Sequence, residues 1–123
     1  MRTDAAVRLP PGIQWLAVIA SVLLISSLVK LGETSLAVGL IPSPWDKLAH
    51  AATFGAITVS LWLGAGQRWL PLCAATALAI GAYDEWRQLS LPGREADVID
   101  LLANASGIVL ASLLAHRLAP RFR

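Results

Sequence analysis

Four apolar runs divide this chain, at residues 13–31, 48–64, 69–83 and 98–118. Each approaches the roughly 20 residues an α-helix needs to cross a bilayer core, and the third does so only if it extends through Trp86 or Leu89. The whole chain has 123 residues, so four such helices leave no room for a soluble domain. Of its residues 56% are hydrophobic and only 15% charged, and the mean hydropathy is +0.63. A soluble domain has about 45–50% apolar and about 25% charged residues. The expected fold is all-α: one four-helix transmembrane bundle, with helices near 13–31, 46–64, 69–88 and 97–118. The first run also has features of a signal peptide, with Arg2 and Arg8 before it and a small-residue site at Ala37-Val38-Gly39. It is long for a signal h-region, which runs to about 7–15 residues, so a spanning helix is the better reading.

Basic residues set the expected orientation. If all four runs span, Arg2, Arg8, Arg68, Arg117, Arg121 and Arg123 share one side with a single acid, Asp4. The other side holds Lys30, Lys47, Arg87 and Arg94, together with Glu33, Asp46, Asp84, Glu85, Glu95, Asp97 and Asp100. The positive-inside rule counts Lys and Arg, and the bias places both termini in the cytoplasm. Cys73 is the only cysteine and lies within the third run. It forms no internal disulfide, builds no metal site alone, and reads as a small core residue.

The connections are short. Pro42 and Pro44 end any helix in the longest one, whose 36–41 segment is apolar and suits the membrane interface, with Trp45 as an anchor. Asp46 near the start of helix two is favoured there by the helix dipole and by capping. Gly64-Ala65-Gly66-Gln67-Arg68 and Leu91-Pro92-Gly93 read as turns.

Three polar groups converge on one end of such a bundle. The first is Asp46, Lys47 and His50, with Phe54 one turn on. The second is Asp84, Glu85 and Gln88, in which Glu85 and Gln88 are three apart. The third is Arg94, Asp97, Asp100 and Asn104, with Gly107 three residues later. Spacings of three and four stack side chains on one helix face. Acids at helix ends are often only caps and surface charges. His50, Asp100 and Asn104 lie one or two turns inside apolar segments, deeper than a cap requires. Ionised groups there are expensive and must face protein or water.

Arg94 and Lys47 suit an anionic phosphate. The carboxylates suit a hard divalent cation. His50 beside an acid suits general base catalysis. No residue type decides among these. The chain has no His-Glu-x-x-His zinc motif, no serine nucleophile elbow and no glycine-rich phosphate loop.

In this order the groups resemble the VanZ-like family of small bacterial membrane proteins. The matching stretches are Asp46-Lys47-x-x-His50-x-x-x-Phe54, Glu85-x-x-Gln88, and Pro92-Gly93-Arg94-x-x-Asp97-x-x-Asp100-x-x-Ala103-Asn104-x-x-Gly107. They span residues 45–114, and the last is the most specific. The connection between helices two and three is more compact than the family pattern. The family is named for a protein giving low-level resistance to the glycopeptide antibiotic teicoplanin. The resemblance implies a cell-envelope role in a bacterial inner membrane, without implying resistance. By resemblance Asp46, Lys47, His50, Glu85, Gln88, Arg94, Asp97, Asp100 and Asn104 carry over as the ligand-binding or network residues. Asp84 is assigned no family role.

The expected function is binding of a lipid head group, cell-wall precursor or lipophilic glycopeptide in an extracytoplasmic polar pocket. The alternative is an accessory subunit of a larger membrane complex, its polar cluster holding only the bundle. The expected partners are membrane lipids or other membrane subunits, with no nucleic acid, and no cofactor is implied. Whether the chain is catalytic stays open. Within the cluster, Arg94 or Lys47 is expected to pair with Asp100 or Asp97, and Asn104 to bond across to helix two or three near His50 or Gln88. A carboxylate one turn into an apolar helix must be paired, protonated or hydrated.

Overall fold

The computed structural model describes residues 9–32, 42, 44–66, 69–90 and 98–118. Among them there are four α-helices and no strand: α1 (Pro11–Gly32), α2 (Trp45–Ala65), α3 (Leu70–Gln88) and α4 (Val98–Leu118). Arg94, Asp97, the Leu91-Pro92-Gly93 turn, residues 36–41 and the Gln67-Arg68 step lie outside the described residues.

Helix ends follow local chemistry. Proline opens α1 at Pro11 and sits in the first turn of α3 at Pro71, where its missing N–H costs no helical bond. Pro44 precedes α2 without a side-chain cap. Asp46 stands in the first turn, where its carboxylate suits the positive helix end and lies against the Lys47 backbone N–H and ammonium. The chain leaves α2 at Gly66, whose φ of 104° lies in the region glycine adopts readily.

Three helices, at Pro11–Lys30, Trp45–Ala65 and Val98–Leu118, are long and apolar enough to cross a membrane. α3 is not among them. It has 19 residues, and Asp84, Glu85 and Arg87 crowd its last turns.

α2 is the centre of the bundle: it packs on α1, α3 and α4, while α3 also packs on α4. The α2–α4 contact is the tightest. A Cβ on Gly107 would lie 2.7 Å from the carbonyl carbon of Ala51 and 2.8 Å from its Cα, far inside contact distance. One turn on, a Cβ on Gly55 would sit 3.7 Å from the Ala111 Cβ. Ala51-x-x-x-Gly55 thus lies along Gly107-x-x-x-Ala111, the small residues that let membrane helices approach closely. Residue numbers rise together along the seam, so α2 and α4 run parallel. Their N-termini share one end of the bundle with the C-termini of α1 and α3.

Below that end the interior is apolar. Phe54, Ile57, Ala77 and Ile108 form one buried cluster, and Trp62, Cys73 and Ala115 a second toward the other end. Cys73 is the buried core residue its place in an apolar run suggests. Thr58, fully buried, donates to the Phe54 carbonyl at 2.8 Å and so satisfies its own hydroxyl. Outward faces carry large apolar side chains, among them Trp15, Leu16, Leu23, Leu110 and Leu114.

Candidate functional site

The parallel seam between α2 and α4 places their first turns side by side, and the polar residues of both meet there. Lys47 Nζ donates to Asp100 Oδ1 across the seam, and Asp46 Oδ2 lies 3.1 Å from the same ammonium. One turn deeper, His50 Nδ1 is 3.0 Å from Asn104 Oδ1. An amide oxygen only accepts, so Nδ1 carries the proton of that bond. His50 Nε2 then faces Asp100 Oδ2 at 3.9 Å. Of the pairings the sequence left open, those formed among the described residues are Lys47 with Asp100 and Asn104 with His50.

Exposure falls along this ladder. The side chains of Asp46 and Lys47 are 28% and 24% exposed, that of His50 22% and that of Asp100 13%. Asn104 is 1% exposed. Directly below, Phe54 and the Ala51–Gly107 contact close the layer. The ladder therefore opens at one end of the bundle and stops at an apolar floor. This arrangement suits holding a polar group and offers no polar path toward the other end of the bundle.

α3 supplies a second wall. Its buried stripe runs Cys73, Ala77, Gly81, Asp84, Glu85, Gln88. Small residues occupy the apolar depth and polar ones the end that α2 and α4 make polar. Gln88 Nε2 donates to Asp84 Oδ2 at 3.1 Å. Asp84 is thus a buried member of the layer that the resemblance left out. Its spacing of four from Gln88 was the sequence signal for it. Tyr83 and Trp86 point outward, and Arg87 lies against Tyr83 with its Cζ 5.9 Å from the ring centroid.

Asp46, Lys47, His50, Asp100 and Asn104 thus form one connected cluster, and Glu85 and Gln88 are buried on the facing helix. Arg94 and Asp97 fall outside the described residues. Among the described residues no three His, Cys, Asp or Glu side chains are grouped to hold a metal ion. The partners of His50 are Asn104 and Asp100, and Cys73 belongs to the far core cluster. No described nucleophile is therefore paired with the histidine.

The fold and this layer define a small all-helical integral membrane protein with a polar cluster at one end of its bundle. A family model described as VanZ/LLP1 matches residues 7–119, nearly the entire chain, and the protein belongs to that family. A search of curated proteins and a search of solved structures each gave no match.

Proposed function

We propose that this VanZ-family protein binds the polar head of a membrane-anchored ligand at the end of its bundle. The candidates are a lipid head group, a cell-wall precursor and a lipophilic glycopeptide. One observation carries the reading: the Lys47–Asp100 and His50–Asn104 rungs form a ladder of falling exposure that ends on a sealed apolar floor. Charged and hydrogen-bonding groups set this far into apolar helices are costly, and they mark functional positions by default.

In this reading all four helices cross the membrane. The charged and amide groups that remove α3 from the apolar spans are mostly turned inward, since Asp84, Glu85 and Gln88 are buried. Leu72, Leu78, Tyr83 and Trp86 form its outer surface. Tyr and Trp suit the interface level. Four crossings put both termini on one side, and the arginine bias makes that side cytoplasmic. The polar layer then faces out of the cell, in a bacterial inner membrane.

The test is lipid analysis of the purified protein beside a Lys47→Met/His50→Ala variant. A co-purifying lipid or envelope precursor that is enriched over the membrane extract and lost in the variant is expected. The same profile in both proteins would overturn the reading.

A second reading draws on the same ion pair. Lys47–Asp100 joins α2 to α4 without any ligand, as in an accessory subunit whose polar layer serves only the bundle. A stoichiometric partner that survives mild detergent, and stays bound to the double variant, would favour it.

A further inference from the structure

From the polar layer we infer that the group it takes at its floor is a hydroxyl of a neutral glycerol or sugar head, not a phosphate or an ammonium. This rests on the head-group reading and names the chemistry of the ligand. The first observation is Asn104. Its Oδ1 is occupied by His50, yet its Nδ2 is buried and has no hydrogen-bond partner among the described residues. Buried amide donors are nearly always satisfied, so an orphan of this kind calls for a partner.

The second observation is where Nδ2 points. It lies 3.2 Å from the position a Cβ would take on Gly81, so it is aimed at the face of α3. The next turn of that face bears the buried carboxylates Asp84 and Glu85. A carboxylate offers about four acceptor sites, so each retains acceptor capacity beside the bonds it already makes. The layer therefore carries one unmet amide donor, with buried carboxylate acceptors one turn along the face of α3 that it meets.

Three ligand chemistries meet this pair differently. A phosphate would accept from Nδ2 but stand against the acids. Among the described residues, the helix ends here hold four acids, Asp46, Asp84, Glu85 and Asp100, against the basic Lys30, Lys47 and Arg87. Lys47 already holds Asp46 and Asp100. An ammonium would suit the acids but only donates, leaving Nδ2 unmet. A hydroxyl accepts from Nδ2 and donates to a carboxylate at once. Water does the same, so the test must separate a lipid hydroxyl from a trapped water.

The full chain, purified in mild detergent, is titrated by native mass spectrometry with three probes of identical acyl chains. These are a glucosyl diacylglycerol, phosphatidic acid and phosphatidylethanolamine. Asn104→Asp keeps an oxygen acceptor for His50 and exchanges the Nδ2 donor for a second oxygen, adding a carboxylate charge. Gly81→Ala adds a methyl 3.2 Å from both Nδ2 and the Phe54 ring and narrows the same space from α3. Preferential retention of the glucosyl lipid is expected, weakened about tenfold by either variant. Tighter retention of phosphatidic acid or phosphatidylethanolamine would overturn the hydroxyl assignment and leave the head-group reading standing. Equal retention of all three, or glucosyl binding that neither variant weakens, would mean a water at the floor and overturn it as well. Retention of none would overturn the hydroxyl assignment, and the head-group reading is then decided by the co-purification test alone.

Discussion

Gly107 and Ala51 touch through their backbones, so closely that a Cβ on Gly107 would fall inside the Ala51 carbonyl group. The contact sits one step below the His50–Asn104 bond, and it sets the distance between α2 and α4 for the whole polar ladder. Gly107→Ala meets backbone rather than a flexible side-chain end, so one of the helices must shift. The expected cost is about 2–3 kcal/mol, toward the upper part of the range for overpacked cores. Thermal unfolding in detergent measures it. An unchanged midpoint would mean that the helices are not held at this spacing.

Asp100 accepts from Lys47 and lies near His50. Asp100→Asn keeps an acceptor oxygen for Lys47 in the same volume, whereas Asp100→Leu leaves the Lys47 ammonium beside an apolar side chain. Leucine should cost about 1–2 kcal/mol more than asparagine, the difference made by a lost hydrogen-bonding group. Denaturant titration of both variants gives the comparison, and a leucine variant as stable as the asparagine one would show that the pair adds nothing to stability.

The His50–Asn104 bond predicts coupling. Removing either partner as His50→Ala or Asn104→Leu should destabilise the bundle, and the double variant should lose less than the sum. The expected interaction is about 0.6 kcal/mol, up to about 1.7, as double-mutant cycles between membrane helices give. Strict additivity would mean that the two side chains do not depend on one another.

If α3 crosses the membrane, its two ends face opposite compartments. In a Cys73→Ala background, cysteines introduced as Trp69→Cys and Ser90→Cys mark those ends, both positions being exposed. A membrane-impermeant thiol reagent added to whole cells should label Ser90→Cys and spare Trp69→Cys until the membrane is opened. Labelling of both from one side would overturn the crossing of α3 and with it the four-crossing topology.

Much of this was legible in the chain before folding. Helix number follows from run length, and the inward face of each polar group follows from spacings of three and four. Asp100 and Asn104 announce one face of α4, just as Asp46 and His50 announce one face of α2. Less legible was α3, where a run rich in alanine has no strong outer or inner side. There the spacing of Asp84 and Gln88 hints at a shared face, and Gly81 and Ala77 lining the seam make that face the buried one.

What the sequence by itself determined is therefore local: four helices, their apolar surfaces, and a polar end where ionisable groups had to find protein. Spacing within a helix cannot choose a partner on another helix. Lys47 takes Asp100 across 53 residues of chain and His50 takes Asn104 across 54. Those choices were made by the Ala51–Gly107 contact, which lays α2 parallel to α4 in one register. Packing of small residues is a property of two surfaces at once, so only the tertiary structure decided which polar groups meet, and which amide faces α3 without a partner among the described residues.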